Sequence, residues 1–365
     1  MSASTSITSA TTATSAPTPL RIALIAPPWF PVPPGSYGGI ELMCFWLVEG
    51  LLARGHEVAL IGADQDGTEA DFISTYENAP SERLGEPFPE VVHAARAAVA
   101  LRELDPQIVH DNSLAGPLLG FNGKVETVVT AHGPIEGDIL RYYRLLSEAV
   151  HMVAISDAQR KLAPDLSWAG TVHNAIRVEE YPFVKEKEDF VLFLGRLNSD
   201  KGAHRAIDAA KAVGVPIVLA GKCSEPAEKE YFEREVRPRL GRNVEWFGEA
   251  DTDQKKDLFS RARCLVFPIQ WQEPFGLVMV EAMACGTPVV GTRWGSVPEV
   301  VEDGTTGFVV EDAAELPAAI ERSREIEPAA CRRRAEDHFD VENMVTGYED
   351  VFRAVIERRE TPARA

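Results

Sequence analysis

The run Glu273 to Gly286 (EPFGLVMVEAMACG) carries two carboxylates, Glu273 and Glu281, in the spacing E-x7-E. Pro274 and Gly276 keep Glu273 on a loop, and a helix is predicted to begin near Gly276. The free amides of a helix start, helped by the helix dipole, make an anion site. Glu281 falls about one and a half turns into that helix. Carboxylates on both sides of an anion pocket suit a ligand with hydroxyls flanking a phosphate, and a nucleotide sugar is such a ligand. The plain alternative is a pair of solvated glutamates; the flanking PFG and the small, apolar AMACG speak against it.

Three further groups have chemical potential. In Phe193 to Gly202 (FLGRLNSDKG), Arg196 and Lys201 follow a predicted strand on a loop. Arginine clamps a phosphate with two hydrogen bonds, and lysine acts as a point charge. Two such cations would stabilise a diphosphate leaving group without a metal, or they form an ordinary exposed cationic loop. Ser36-Tyr37-Gly38-Gly39-Ile40-Glu41 lies between the first strand and the first helix, where glycine lets backbone approach a ligand closely. It is not G-x-G-x-x-G, and the loop before it is long and Pro-rich, which argues against a nicotinamide-dependent dehydrogenase. In Thr130-Ala131-His132-Gly133-Pro134, His132 either donates to a substrate oxygen, stabilises a cation-like transition state, or is structural. Asp64-Gln65-Asp66 and Asp251-Thr252-Asp253 both read D-x-D, a pattern that can hold a divalent cation on a diphosphate. Both lie in acidic loops, and the Arg/Lys clamp makes a metal redundant, so no catalytic metal is expected.

The elements that must position these residues alternate between strand and helix. Leu20 to Ala26 reads as a strand, Ile40 to Ala53 as a helix closed by Arg54-Gly55, and Glu57 to Ile61 as the next strand. That βαβ unit predicts a parallel sheet. The rhythm continues with a helix at Ala94 to Leu104, strands at Ile108 to His110 and Thr127 to Ala131, and a helix at Ile139 to Glu148. A strand at Met152 to Ile155, a helix opening at Asp157 and a strand at Thr171 to His173 follow. Polar Arg177 to Asp189 reads as a linker. Strands then recur at Phe190 to Leu194, Pro216 to Ala220, Val244 to Phe247, Cys264 to Phe267, Pro288 to Gly291 and Gly307 to Val310. Helices are expected between them, near 202–213, 227–240, 253–262, 276–285, 296–302 and 313–323. The expected organisation is a disordered Ser/Thr/Ala-rich tail over 1–18 and two doubly wound domains over 19–178 and 179–340. A last helix, 341–358, packs back on the first domain. Open parallel sheets bind ligands outside the carboxyl ends of their strands. Every motif above lies just after a predicted strand, so all can line one cleft.

Composition excludes several partners. The chain has 365 residues, with 37 basic against 56 acidic side chains and a net charge of −19. That disfavours nucleic acid, whose binding depends on Lys and Arg neutralising phosphates, and docking on an anionic membrane. No apolar run approaches the ~20 residues that span a bilayer, and the N-terminus lacks the charged and apolar regions of a secretory signal. Five widely spaced cysteines, Cys44, Cys223, Cys264, Cys285 and Cys331, form no C-x-x-C. They read as free thiols in a reducing compartment, and a cytoplasmic location is expected.

In chain order the motifs run Gly-Gly, His, Arg…Lys, Glu…Glu, two on each side of the linker. Together they resemble the retaining glycosyltransferases of family 4, which have the GT-B fold: two Rossmann-like domains facing across a deep cleft. The resemblance covers about Arg21 to Arg358. It is supported by RGHEV (54–58), IVHDNS (108–113), VAISDAQ (153–159), VHNAI (172–176), TPVVGT (287–292) and VPEVVEDGTTGF (297–308). It implies that Arg196 and Lys201 hold the donor diphosphate, Glu281 the ribose and Glu273 the transferred sugar. Backbone amides of Phe275, Gly276 and Leu277 would touch sugar and phosphate, and Gly38 and Gly39 would close over the phosphates. His132 would lie near the anomeric carbon, and Phe247 and Gly248 would border the base. Three positions depart from the family: Ala175 replaces the usual Gly after His-Asn, Arg177 a common Asp, and Ser296 the second Gly of a pair.

The resemblance further implies transfer with retention, by front-face displacement, from a nucleotide sugar, expected to be a UDP- or GDP-sugar, with no cofactor; the Arg/Lys clamp makes the expected transfer metal-independent, and the acidic N-terminal half favours a hydroxyl of a soluble small molecule or saccharide as acceptor. Trp29 and Tyr37, and Arg141 with Tyr142, are candidates for the acceptor side, aromatic faces suiting sugars or flat apolar groups; ordinary packing is their alternative. Rival functions are a nucleotide-sugar epimerase or phosphorylase of the same fold and a non-catalytic nucleotide-sugar-binding protein.

Overall fold

A computed structural model describes residues 18–35, 38–64 and 67–360. The first lobe is a seven-stranded sheet of β1 (Arg21–Ile25), β2 (Glu57–Gly62), β3 (Asp71–Ser74), β4 (Ile108–Asp111), β5 (Glu126–Ala131), β6 (His151–Ala154) and β7 (Trp168–Thr171). Its spatial order is β3-β2-β1-β4-β5-β6-β7, every pair parallel. Its helices are α1 (Gly39–Ala53), α2 (Pro87–Leu104), α3 (Gly137–Leu146) and α4 (Asp157–Leu162). The second lobe has β8 (Val191–Leu194), β9 (Ile217–Ala220), β10 (Val244–Gly248), β11 (Cys264–Phe267), β12 (Val289–Thr292) and β13 (Gly307–Val310). These are ordered β10-β9-β8-β11-β12-β13, again all parallel. Its helices are α5 (Ala203–Ala212), α6 (Pro226–Tyr231), α7 (Thr252–Arg261), α8 (Leu277–Ala284), α9 (Val297–Val300), α10 (Leu316–Arg322) and α11 (Pro328–Phe339). The last helix is α12 (Val341–Glu360). β4, β8, β11, β12 and β13 are buried throughout, as strands covered by helices on both faces must be. Strand order reverses between β1 and β4 and again between β8 and β11. Crevices open at such points beyond the strands' carboxyl ends.

Several elements differ from the sequence reading. The strand expected at Thr171 to His173 is instead β7, Trp168–Thr171, whose residues are all half-buried and give no apolar run. β3 was not expected, because only Phe72 and Ile73 of its four residues are apolar. α2 starts at Pro87 rather than Ala94, the proline occupying the first helical turn where its missing N–H costs nothing. The helix expected over 227–240 is broken into α6, a π-turn at Phe232–Val236 and a 3-10 turn at Arg237–Arg239. α11 was missed because its buried face is only Cys331, Ala335 and Phe339, in an otherwise charged segment. Residues 1–17 of the expected tail, with Ser36, Tyr37, Gln65 and Asp66, lie outside the described residues.

The chain passes between the lobes near residues 176 and 340, and the two crossings bond to each other. Ile176 N donates to Phe339 O (3.0 Å) and Val341 N to Ile176 O (3.1 Å). After the second crossing, α12 lies along α1, β5 and β7 of the first lobe. Val345, Tyr348 and Phe352 are fully buried there. Arg54 at the end of α1 bonds Glu342, Thr346 and Glu349 of α12, and Tyr348 OH joins Thr130 Oγ1 at 2.9 Å. Gly50 makes the approach possible: a Cβ there would lie 2.4 Å from Val345 Cγ2.

Three acids are buried beside the first lobe's switch point: Glu41 on α1, Glu90 on α2 and Asp111 at the end of β4. Asp111 Oδ1 accepts from Ser113 N (2.9 Å) and Ser113 Oγ (2.7 Å). Burial raises both Asp111 and Glu41 to about 7, against the downward pull of their hydrogen bonds.

Two expectations follow from this packing. Gly50→Val should lower stability by roughly 1–3 kcal/mol through overpacking against α12; an unchanged urea midpoint would mean that α12 is not seated on α1 at this point. Asp111 binds a proton more tightly folded than unfolded, so stability from its neutral form is full below its unfolded value near 4 and is lost as pH rises through about 7. Asp111→Asn should therefore gain stability relative to wild type as pH climbs through that window. A pH-independent difference between the two unfolding curves would refute the burial argument.

Candidate functional site

Between the lobes lies a cleft of about 560 Å³. Its second-lobe wall is built where β8, β9, β10 and β11 end. Arg196 follows β8, and its guanidinium is fixed by two glutamates: Nε donates to Glu228 Oε1 (2.8 Å), and a terminal nitrogen lies 2.9 Å from Glu225 Oε1. Glu228 is buried, which alone would raise its pKa. The Glu225 and Ser224 amides and the Arg196 guanidinium more than offset that, holding the carboxylate below its usual range. The sequence reading missed both acids. Their signal is the E-x-x-E capping box that opens α6.

Lys201 is set by its own turn, where its N–H donates to Asn198 Oδ1 (2.9 Å). Its ammonium is ion-paired directly with the Glu273 carboxylate. The ring of Trp271 is 4.7 Å away and that of Phe267 5.7 Å, within cation–π range. With side-chain exposures of 19% and 9%, Lys201 and Glu273 form a largely dehydrated pair. The two residues read separately as phosphate and sugar contacts are thus brought together.

The loop Glu273 to Gly276 is gripped by the turn between β12 and α9. Gly295 (φ +52°) passes so close that a Cβ would sit 2.3 Å from Glu273 O. Ser296 N donates to Glu273 O (3.0 Å) and Ser296 Oγ to Phe275 O (2.7 Å). The serine that departs from the family's glycine pair therefore adds a hydrogen bond. Gly276, at φ +77°, turns the chain into α8, whose first turn has no side-chain cap and no acid. Phe275, Gly276, Leu277 and Val278 all line the cleft, leaving this helix end to face it. Glu281, one turn further on, accepts from Tyr181 OH (3.0 Å) and is not among the lining residues. At the far end the wall is Gly221, Lys222, Glu249, Ala250, Asp251 and Lys255 rather than Phe247 and Gly248. The ladder of β10 with β9 shifts register between Trp246 and Gly248, and Phe247 is 38% exposed. Asp251, of the second D-x-D, is the N-cap of α7 in a capping box with Gln254. Among the described residues no cluster of three or more His, Cys, Asp or Glu side chains is arranged to hold a metal.

The first-lobe wall is His132, Gly133, Pro134, Ile155 and Asn174. Asn112 orients His132: its amide nitrogen donates to Ile25 O (3.3 Å), so its Oδ1 faces His132 Nε2 at 2.9 Å and accepts. Nε2 therefore carries the proton and Nδ1 the lone pair. Burial pushes His132 down to about 3, so the ring is neutral across the physiological range. It is a hydrogen-bond acceptor rather than an acid. Gln159 holds this loop, donating to Ala131 O (2.7 Å) and Gly133 O (2.8 Å), which gives VAISDAQ a structural meaning. The Gly38-Gly39 turn meets the other lobe: a Cβ on Gly39 would lie 3.8 Å from Leu277 Cδ1. Three of the acceptor candidates, Trp29, Arg141 and Tyr142, stand outside the cleft lining. Trp29 bonds Glu90, exposed Arg141 pairs with Asp138 at 3.3 Å, and Tyr142 OH donates to Leu114 O. Tyr37 lies outside the described residues. Asn174 and Trp271 line the cleft and were not singled out from sequence, although Asn174 belongs to VHNAI.

Comparison with known proteins agrees with this architecture. Residues 37–179 match the model for Glycosyltransferase Family 4, and residues 178–336 that for Glycosyl transferases group 1. Glycogen synthase of Mycobacterium tuberculosis is 27% identical over 88% of this chain and 92% of its own length. The crystal structure of AviGT4, a glycosyltransferase involved in avilamycin A biosynthesis, superposes with a TM-score of 0.70 at 27% identity, covering 93% of this chain and 98% of that one. Anabaena HepE in complex with UDP and glucose has the same fold, with a TM-score of 0.71 at 20% identity over 92% of this chain and all of that one. Two adjacent family models spanning 37–336, two parallel sheets and a cation-lined cleft between them lead to one conclusion: the chain belongs to the family 4, group 1 glycosyltransferases of the GT-B fold.

Proposed function

We propose that this protein transfers a sugar, with retention of anomeric configuration and without a bound metal, from a nucleoside-diphosphate sugar to a hydroxyl of a soluble acceptor. The observation that carries the reading is the charge of the second-lobe wall. In a chain of net charge −19, Arg196, Lys201, Lys222 and Lys255 converge on one cleft with the amide end of α8 and outnumber its carboxylates, Glu249, Asp251 and Glu273. Positive charge focused between low-dielectric walls attracts a polyanion, and a diphosphate is the polyanion of this enzyme family's donors. UDP, the nucleotide bound to HepE, is the first probe of the base.

The chemistry that suits these groups is direct. Arg196, Lys201 and the first amides of α8 stabilise negative charge as the bond from the anomeric carbon to the phosphate oxygen breaks. The acceptor oxygen bonds to that carbon on the same face, and its proton passes to the departing phosphate. Glu273, freed from Lys201 as the ammonium turns to phosphate, accepts from sugar hydroxyls. Neutral His132, whose Nδ1 is buried and unpartnered in the free protein, can accept through that atom once the ring is turned to the ligand. The described lining of the first-lobe wall, His132 to Pro134, Ile155 and Asn174, includes no carboxylate to serve as an attacking nucleophile, which supports front-face displacement over a covalent glycosyl-enzyme. Cations in place of metal ligands support metal independence.

The test is a screen of UDP-, GDP-, ADP- and dTDP-sugars by thermal shift, followed by transfer assays with the stabilising donor. Donor consumed without acceptor and converted to an isomer would mean an epimerase instead. Proton NMR of the product should give the donor's anomeric configuration, and EDTA should leave the rate unchanged. Lys201→Ala and Glu273→Ala should each lower kcat/KM by roughly 10²–10³. UDP binding should weaken in Lys201→Ala and be nearly intact in Glu273→Ala; near wild-type turnover in either variant would remove its assigned role.

A further inference from the structure

Glu299, on α9 of the second lobe, reaches into the first. Its Oε1 accepts from Asp157 N (2.8 Å) and its Oε2 from Ala158 N (3.0 Å), the first two residues of α4. The next amide of that turn, Gln159 N, donates to Ser156 Oγ (3.0 Å). A carboxylate from one lobe thus completes the N-terminal cap of a helix in the other, where backbone donors and the helix dipole favour negative charge. His173 Nε2 lies 2.6 Å from the same Oε1. Burial would raise the Glu299 pKa, but His173 and the two amides outweigh it and hold the carboxylate below its usual range. The group is therefore anionic and fully used.

Both ends of this contact lead to the cleft. In the first lobe, α4 is preceded by Ile155, and His173 is followed by Asn174; both neighbours line the cleft. The His173 ring also stands 5.9 Å from that of Phe275. In the second lobe, Glu299 N donates to Ser296 O (2.9 Å), and Ser296 in turn holds the carbonyls of Glu273 and Phe275. A short chain of hydrogen bonds therefore joins the donor loop to the opposite wall: Glu273 and Phe275 to Ser296, Ser296 to Glu299, Glu299 to α4 and His173.

We propose that Glu299 is a positioning residue that couples the Glu273 to Gly276 loop to the first-lobe wall, so that nucleotide arriving on the loop is felt at Ile155 and Asn174. The inference rests on the donor-binding reading given above.

Hydrogen exchange resolved to short peptides tests it on wild type, Glu299→Ala and Glu299→Gln, each with and without UDP, and with GDP as a second probe. In wild type, nucleotide should slow exchange in 273–279 and also in 155–159. In Glu299→Ala the first response should persist and the second vanish, with the 157 and 158 amides exchanging roughly tenfold faster or more in the free protein. Glu299→Gln keeps one carbonyl acceptor and should retain part of the second response, which a mere loss of packing would not explain. The inference is overturned if 155–159 in Glu299→Ala still responds as in wild type. It is equally overturned if protection of 273–279 is lost there too, since Glu299 would then be a prop of the donor loop alone. Absence of protection at 273–279 in wild type with either nucleotide would instead sink the donor reading, and the inference with it.

Discussion

Positive charge concentrated at one place in a strongly acidic chain must be held against its own counter-charges, and most of the site's construction follows from that. Arg196 is pinned by Glu225 and by buried Glu228. Lys201 is paired with Glu273 under the ring of Trp271. Each cation has a carboxylate partner that keeps its geometry while the charge remains directed at the cleft. Preorganised charge of this kind stabilises a developing anion without reorganisation at the moment of reaction. The arrangement at Lys201 adds an exchange: a phosphate that takes over the ammonium releases the Glu273 carboxylate for a second task.

The same site requires backbone to come very near backbone. Gly295 lies against Glu273, and Gly276 turns into α8 at a φ of +77°. Side chains at these positions would either collide or be strained. Around that turn, Ser296 supplies bonds from both its amide and its hydroxyl. The donor loop is therefore a rigid part of the second lobe, tied to the turn between β12 and α9.

The first lobe is fastened to this rigid part by paired chain crossings at 176 and 340, by α12 folded back along α1, and by Glu299 on the start of α4. Polar contacts between lobes are more easily rearranged than a continuous apolar interface. The Gly38-Gly39 turn adds a further contact, with a Cβ on Gly39 falling 3.8 Å from Leu277 Cδ1 of the second lobe.

The sequence determined the elements and the local turns. Apolar runs such as LRIALI and CLVF read as buried strands because both faces of a parallel sheet are covered, and EPFG read as a loop into a helix because proline and glycine act within a few residues. The residues it singled out include His132, Arg196, Lys201, Glu273 and Phe275 to Leu277, which line the cleft. β3 and α11 escaped because their apolar faces are two or three residues wide, and Phe247 falls outside the cleft lining, on the exposed side of β10's regular alternation. Only the tertiary structure decided that Lys201 meets Glu273, that Glu228 holds Arg196, and that Glu299 caps a helix in the other lobe. Periodicity and turn chemistry are written in neighbouring residues, whereas those pairings join positions brought together by how sheets stack and how two lobes face each other, which no local pattern encodes.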